Sequence, residues 1–458
     1  MSDLIWLIGL PLAGAAVILL VRRWALIAGP LAGATLIAGG VLAAGAASAE
    51  PLEILGQALA LSQAASQSLT YAYALVGAAC IVSSRRGHDG LLYGIVLASA
   101  ALASAALAAS GIEIMAYGGA GALLALALAA PLAGTTPRLQ SIHAVSVMAL
   151  LPLLLIAPFW LLESQQVAPA SEATLQTASV LAVVAGALLL GLFPLHLWRS
   201  AVQTTGHPAL TMAAMTWGSL VGLCYLGRLL QTPAWPRFWS LARPLLLYGG
   251  ALTALLGGVM STVHTHRRQV LGHASLAYWG GTIVHLAQAL PDSSPSVSLD
   301  LWLGAIALLT ATCALWCLRD DEDAVTPLPT TGRAGRIVCL IALTTGVYAL
   351  SGLPPAASFP VRFAGSFEAA GEDALLGYAM LIGAIGVAWG GIGMVRARRS
   401  DPIGESKHSL STLLPCITAM VLTIILWTVF VFPALLRALP AAWLPDLLAL
   451  YETLSAVR

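Results

Sequence analysis

The chain has 458 residues, of which 59% are hydrophobic and only 9% are charged, and its mean hydropathy is +0.88. Soluble domains carry about a quarter charged residues, so this composition excludes a water-soluble globular protein. The 21 basic and 20 acidic residues nearly cancel, and the charge balance therefore gives no indication of a nucleic-acid partner.

Apolar runs of about 20 residues recur along the whole chain, and each is long enough to span a bilayer as a helix. The runs are continuous rather than alternating, which favours helices over a β-barrel. The pattern predicts an all-α polytopic membrane protein with about fourteen transmembrane helices. We place the spans at residues 3–21, 24–46, 68–84, 91–110, 112–133, 141–162, 175–197, 209–230, 243–263, 270–290, 299–318, 336–353, 374–395 and 411–433.

Basic residues are concentrated in the loops that follow odd-numbered spans. Fifteen of the 21 basic residues lie there: Arg22, Arg23, Arg85, Arg86, Arg138, Arg199, Arg267, Arg268, Arg319, Arg333, Arg336, Arg396, Arg398, Arg399 and Lys407. Cytoplasmic loops carry the excess of Lys and Arg in membrane proteins. The distribution predicts a multi-pass protein of the inner membrane with both termini on the non-cytoplasmic side.

Six cysteines lie in apolar segments without a CxxC pair or a Cys/His cluster: Cys80, Cys224, Cys313, Cys317, Cys339 and Cys416. This arrangement predicts no disulfide framework, haem, iron–sulfur cluster or other metal site. Nucleotide-binding loops and catalytic triads are likewise missing from the sequence, so we expect no cofactor. The chain would be at most a non-catalytic, ion-translocating subunit of an oxidoreductase.

Two Gly/Pro sequences interrupt apolar runs, one near the end of the seventh span and one near the end of the twelfth. The first contains Pro194 and is followed by His196. The second contains Gly352, which is followed after one residue by Pro354 and Pro355. Proline removes a backbone donor and breaks a helix, and broken helices at membrane depth are tolerated where they are buried or line a cavity. Taken alone, the first sequence is also compatible with a helix that simply ends, with His196 at the interface.

The two interruptions fall at corresponding places of two five-helix units, spans 4–8 and 9–13. An odd-numbered unit followed by its copy has inverted topology, and interruptions shared by two such halves indicate a transport pathway. We therefore expect four segments: helices 1–3 in residues 1–90, the first repeat in 91–230, the second in 243–395, and helix 14 with a C-terminal interfacial segment in 396–458.

Glu113 is the only acidic residue that we place within a span and away from a loop. An isolated carboxylate in lipid is costly, so such residues usually face a partner or water. The alternative is a shifted span boundary, which would place Glu113 among the lipid headgroups.

The chain resembles the antiporter-like, proton-conducting membrane subunits of respiratory complex I, membrane-bound hydrogenases and Mrp-type antiporters. Pro194–Trp198 is similar to the Pro-Phe-His-x-Trp motif at which the family's seventh helix breaks. Gly352–Phe363 is similar to the family's twelfth-helix Gly-Ile-Pro-Pro…Phe…Lys-Phe. Arg228 ends a helix as in the family, and Arg268 leads into a degraded Leu-Leu-Ala-Tyr-Ser-Ser-Ile-x-His-x-Gly segment. The family's fifth-helix glutamate falls on Glu113.

The resemblance implies fourteen helices in two inverted five-helix repeats, with a proton half-channel in each repeat served by buried lysines. This chain departs from that pattern because its one lysine, Lys407, lies in a loop. Leu189 lies near the seventh-helix lysine position, and Tyr278 replaces the motif histidine of the tenth helix. Arg362 keeps the charge of the twelfth-helix lysine, but arginine does not lose its proton in proteins. The chain is thus identified as a divergent member of the family.

Three functions remain open. The chain could be a proton-translocating subunit of a complex I-type or hydrogenase-type assembly, conducting through water, Glu113, His196, His273 and His285, with Arg362 as a fixed charge. It could instead be the ion-coupling membrane subunit of a DabB-like inorganic-carbon transport complex, or a scaffold subunit that has lost conduction. In each case the expected partners are other membrane subunits and the lipid bilayer, and in the first two also protons or sodium.

Overall fold

The computed structural model describes most of the chain as helices. The described residues are 3–46, 52–54, 57–84, 90–133, 138–163, 172–203, 205, 207–231, 235–289, 296–318, 333–396 and 410–431. The interfacial segment expected near the C-terminus lies outside these residues. The described chain forms two compact units, Met1–Leu245 and Leu246–Arg458, which divide within one long helix.

The first unit contains nine helices of the described chain, a short β-hairpin and the start of a tenth helix. They are α1 Asp3–Leu20, α2 Ala25–Ala46, β1 Leu52–Ile54, β2 Gln57–Leu59, α3 Gln63–Ser83, α4 Gly90–Ala108, α5 Ile112–Ala129, α6 Arg138–Glu163, α7 Glu172–Leu190, α8 Leu197–Gln203, α9 Pro208–Gln231 and the beginning of α10 Trp235–Val263. A 3-10 turn, Ala130–Ala133, extends α5.

The second unit holds the rest of α10 and six further helices among the described residues. These are α11 Arg267–Ala289, α12 Ser296–Leu318, α13 Arg333–Ser351, α14 Phe359–Glu372, α15 Ala374–Arg396 and α16 Leu410–Val431. The four-part division expected from the sequence stays a prediction.

Eleven helices of the described chain are long and apolar enough to cross a membrane. All eleven coincide with spans predicted from the sequence. The remaining predicted spans correspond to the shorter apolar stretches Gly335–Ser351 and Cys416–Thr428 and to the more polar helix α11. The polytopic helical fold is therefore confirmed, whereas the count of fourteen spans and the inverted symmetry of the repeats stay predictions.

The hairpin is the departure from an all-helical chain. Strands β1 and β2 pair antiparallel, with Leu52 opposite Leu59 and Ile54 opposite Gln57. The backbone beyond β2 bonds to the end of α4, because the amide of Ala60 donates to the carbonyl of Ala108 at 2.8 Å. Backbone groups removed from water need hydrogen-bond partners. The hairpin, which lies between α2 and α3, pairs its own strands and also bonds to the end of α4.

Small residues let helices approach closely in each unit. In the first unit, a Cβ added at Gly33 of α2 would lie 2.7 Å from the carbonyl oxygen of Gly77 in α3. In the second unit, Gly258 of α10 lies directly against the backbone of Gly383 in α15. Helices in lipid gain little from hydrophobic burial against each other, so close packing of this kind is a main source of their association.

A buried tyrosine joins three helices of the first unit. The Tyr73 hydroxyl of α3 lies 2.7 Å from the Ser104 hydroxyl of α4 and 3.3 Å from the carbonyl oxygen of Leu7 in α1. Its ring meets that of Trp217 edge-on, with centroids 5.4 Å apart. These bonds satisfy a phenol that would otherwise be costly to bury.

Candidate functional site: a buried charge network at a helix break

The first predicted interruption is confirmed at the end of α7. The helix stops at Leu190, Gly191 has a φ of 66°, and the Phe193–Pro194 bond is cis. Only glycine adopts this left-handed conformation at no steric cost. The chain resumes as the short helix α8, whose Trp198 indole nitrogen donates to the carbonyl of Leu188 at 2.8 Å. The same carbonyl accepts from the amide of Gly191 at 3.1 Å, so the indole adds a second donor at the end of the broken helix.

The second interruption repeats this design at the end of α13. The helix stops at Ser351, Gly352 has a φ of 68°, and the Pro354–Pro355 bond is cis. The chain resumes as α14, and the Ser358 hydroxyl just before it donates to the carbonyl of Ala349 at 2.6 Å. In both units a side chain thus donates to a carbonyl near the end of the broken helix. The donor is an indole in the first unit and a hydroxyl in the second.

Each break also holds a buried arginine against its glycine. Arg199 of α8 is completely buried, and its aliphatic carbons lie against Gly191. Its guanidinium donates to the carbonyl of Leu190 at 3.4 Å and to the Ser219 hydroxyl of α9 at 3.2 Å. The sequence reading that counts Arg199 among the loop residues is therefore wrong, because the residue belongs to the short helix α8 and is completely buried. It leaves the set of fifteen loop charges.

Arg362 of α14 lies at the second break, and its partner is a buried carboxylate. The Nε of Arg362 donates to Oδ1 of Asp300 at 2.9 Å, and Asp300 has no exposed surface. Nη2 donates to the Tyr278 carbonyl at 2.6 Å and to the Thr282 hydroxyl at 2.7 Å. The guanidinium carbon lies 3.6 Å from the centre of the Tyr278 ring. Gly281 leaves the space that the guanidinium occupies.

Asp300 collects donors from α11 as well as from Arg362. The Tyr278 hydroxyl donates to Oδ1 at 2.6 Å, and the Thr282 hydroxyl donates to Oδ2 at 2.8 Å. Nδ1 of His285, one turn further along α11, lies 3.5 Å from Oδ2. A carboxylate surrounded by an arginine and two hydroxyls is stabilised in its ionised form, which is what permits its complete burial.

His285 completes the network and leaves one nitrogen unused. Its Nε2 is buried against Gly365 of α14 and has no hydrogen-bond partner among the described residues. Most buried polar atoms are paired, so an unpaired imidazole nitrogen beside a carboxylate marks a place where a proton or a water can be exchanged.

A cavity of about 310 Å³ lies next to this network within the second unit. Its wall includes Tyr278 and Arg362 together with the break residues Gly352 and Leu353. The rest of the lining is mainly aromatic and aliphatic. The network therefore borders an open, mainly apolar cleft at the interrupted helix, and the wall of this cleft includes the exposed side chains of Phe367 and Tyr378.

The structure places the other residues predicted for the proton path separately. Glu113 lies in the first turn of α5, half-buried, and makes no ion pair with another described residue. His196 is half-buried beside the first break, with its ring stacked on Phe193 at 5.5 Å. His273 of α11 stacks on His264 with ring centres 4.7 Å apart.

The two basic residues of the predicted motifs lie in helices. Arg268 is half-buried in the first turn of α11. Arg228 belongs to α9, but its side chain lies outside the described residues. Of the residues predicted for the proton path, the structure thus brings Arg362 and His285 into one cluster.

Sequence reasoning misses Asp300, which is the centre of that cluster. The residue falls at the edge of the predicted span 299–318, where an aspartate is typical of a headgroup boundary. Glu113 is therefore not the only acidic residue within a span. A usable signal exists in Tyr278 and Thr282, two polar residues one turn apart on α11 that continue to His285 on the same face.

No protein-family model matches the chain. Residues of this chain are 26% identical over 222 positions to "NADH-quinone oxidoreductase subunit N 3" of Streptomyces griseus, which covers 45% of this chain and 38% of that protein. A second match is 28% identical over 210 positions to "NADH-quinone oxidoreductase subunit N 1" of Solidesulfovibrio magneticus. It covers 43% of this chain and 44% of that protein. The matches therefore span less than half of each relative's own length.

Solved structures match over almost the whole chain. A chain of respiratory complex I from Thermus thermophilus superposes with a TM-score of 0.72 at 18% identity, and the match covers 98% of both chains. A chain of the Mrp complex from Dietzia sp. superposes with a TM-score of 0.67 at 13% identity, covering 95% of both. The resemblance read from the sequence motifs is therefore confirmed: the chain is similar in sequence to subunits named N of NADH-quinone oxidoreductases, and it has the fold of membrane chains of complex I and of the Mrp complex.

Proposed function

We propose that this chain is a proton-translocating, antiporter-like membrane subunit of a complex I-type assembly. The observation that supports this most is the ion pair between Asp300 and Arg362, which is buried beside the second helix break with His285 in contact. Ionisable residues inside a membrane protein are costly and usually mark an ion pathway. A purely structural helix break would be served as well by neutral residues.

The chemistry of the cluster suits proton transfer. Arg362 keeps its proton and acts as a fixed positive charge that holds Asp300 ionised. Nδ1 of His285 faces the Asp300 carboxylate, and its Nε2 has no hydrogen-bond partner among the described residues, so the ring has one nitrogen on each side, as a proton relay requires. The Tyr278 and Thr282 hydroxyls offer further donors and acceptors to the carboxylate. Proton transfer at this site therefore needs no lysine.

In this proposal Glu113 and His196 serve the first unit, and His273 serves the second unit together with the Asp300 network. The partners are other membrane subunits, the chain lies in the inner membrane, and both termini face the non-cytoplasmic side. Proton movement distinguishes this function from the scaffold alternative, and its independence of sodium and bicarbonate distinguishes it from the inorganic-carbon alternative.

The test is proton flux into proteoliposomes that contain the assembled complex, followed with a pH-sensitive dye. We expect His285→Gln to abolish flux, because glutamine has a polar side chain of similar length but, unlike histidine, no titratable group. His266→Gln is the matched control, since His266 is exposed at the start of α11, away from the network. Undiminished flux in His285→Gln, with assembly intact, would count against the proposal.

Glu113→Gln tests the first unit in the same assay. We expect this variant to lose flux, since it removes an exchangeable proton with little change in shape. If both His285→Gln and Glu113→Gln conduct as well as the unmodified complex, the scaffold alternative is correct and the mutations that matter lie on partner-facing surfaces.

A further inference from the structure

Three cysteines that are distant in the sequence meet in the second unit. Their sulfur atoms, on Cys317 of α12, Cys339 of α13 and Cys416 of α16, all lie within 4.8 Å of one another. Those of Cys339 and Cys416 are 3.0 Å apart. Their spacing in the sequence does not reveal this proximity, because it depends on the convergence of three helices.

The cluster is buried and lies close to one end of each helix. Cys317 is one residue from the end of α12, and Cys339 and Cys416 lie within the first two turns of α13 and α16. Cys317 and Cys416 are each 8% exposed, and Cys339 is fully buried. The adjoining segments, 319–332 and 397–409, are the ones that the charge distribution predicts to be cytoplasmic. Cytoplasmic thiols are kept reduced, so disulfide formation is not their expected fate.

We propose that Cys317, Cys339 and Cys416 form a binding site for one soft monovalent metal ion, Cu(I), held by three sulfur ligands. Soft thiolate ligands select Cu(I) and zinc among the common metals. Structural zinc sites almost always have four ligands, whereas three ligand residues of the described chain meet here. Cu(I) can be bound by three sulfur ligands. Each thiol that coordinates releases its proton to water, and no change of oxidation state is involved.

The site would clamp three helices of the second unit near their ends. One of them is α13, the helix that ends at the second break, and the others are α12, which carries Asp300, and α16. Bound metal stabilises the folded state in which the ligands are already assembled. The proposal is independent of proton translocation, because it rests on the sulfur geometry alone.

The experiment uses the full-length chain, purified in detergent under reducing conditions and titrated with Cu(I) in competition with bicinchoninate. We expect one Cu(I) per chain, and X-ray absorption should show a shell of sulfur neighbours without nitrogen or oxygen. Cys339→Ser should weaken binding about 100-fold, whereas Cys80→Ser, which changes a buried cysteine of the first unit, should leave the affinity unchanged.

Two further measurements keep the test decisive if a variant folds poorly. Cu(I) should raise the thermal unfolding midpoint of the unmodified chain and should slow the alkylation of Cys317 and Cys416, the two partly exposed thiols of the cluster. The proposal is overturned if the unmodified chain binds no more Cu(I) than the variant with serine at all three positions. The proposal would also be overturned if Cys339 and Cys416 remained linked by a disulfide bond after purification under reducing conditions.

Discussion

The two helix breaks share a backbone design but differ in the contacts that the structure shows for their buried arginines. Gly191 and Gly352 have φ values of 66° and 68°, each is followed by a cis X-Pro bond, and each packs against a buried arginine. At the second break Arg362 is paired with a buried carboxylate and borders a cavity. At the first, Arg199 donates to a helix-end carbonyl and a serine hydroxyl.

This difference separates two properties that are easily confused. A broken helix needs a glycine and side chains that pair its free carbonyls, and both units supply them. An ion pathway additionally needs groups that can exchange protons, and at the second break His285 and Asp300 provide them. The Gly/Pro pattern therefore indicates where a pathway can lie, while the surrounding charges indicate what it can do.

The largest expected effect on stability is that of Asp300→Asn. The substitution leaves Arg362 as a buried charge without its carboxylate, and breaking such a pair costs about 3–5 kcal/mol. Ser219→Ala, which removes the hydroxyl partner of Arg199, should cost only about 1 kcal/mol. Thermal unfolding midpoints in detergent would rank the two. Equal shifts would show that the two arginines are held by interactions of similar strength.

Removing both charges sharpens the same comparison. Arg362→Gln combined with Asp300→Asn should recover most of the stability lost in Asp300→Asn alone, because no unpaired charge is left in the interior. The recovered fraction measures the coupling between the two residues. Additive losses in the double variant would mean that Arg362 and Asp300 do not depend on each other.

Alanine at the two glycines should destabilise both breaks, and Gly352→Ala more than Gly191→Ala. A non-glycine residue in the left-handed region costs about 1–2 kcal/mol at either position. The added Cβ would also lie 2.8 Å from Cγ of Arg362 at the second break, against 3.1 Å from Cδ of Arg199 at the first. Unfolding midpoints are again the measurement, and the reverse order would contradict the packing described here.

Ser358→Ala should have a small effect on stability, similar to that of Ser219→Ala. This change leaves the Ala349 carbonyl at the end of α13 without its hydroxyl donor, at a cost of about 1 kcal/mol. It leaves the charges of the network untouched, so the assembled complex should keep its proton flux. A complete loss of flux in this variant would show that backbone support at the break, and not the charge network, limits conduction.

Features fixed by local chemistry could be predicted from the sequence, and features fixed by convergence could not. The apolar runs locate the helices because each must span a bilayer on its own. The two breaks are predictable because Gly and Pro act on their own backbone. Asp300 stands at a predicted span edge, and only the packing of α11, α12 and α14 makes it a buried centre. The cysteine cluster depends likewise on three separate helices.

Arg199 illustrates the same limit from the other side. Its position after an apolar run is typical of a loop charge, yet Arg199 lies in the short helix α8 and is completely buried. A rule based on distance from a span end cannot detect this burial.

The most direct test of the account is proton flux through the assembled complex that carries both Arg362→Gln and Asp300→Asn. This double variant should fold and assemble, since it contains no unpaired buried charge. If the charge network conducts protons, its flux in proteoliposomes should fall to the level of protein-free liposomes, while the complex with Ser358→Ala conducts normally. Flux in the double variant equal to that of the unmodified complex would contradict the account.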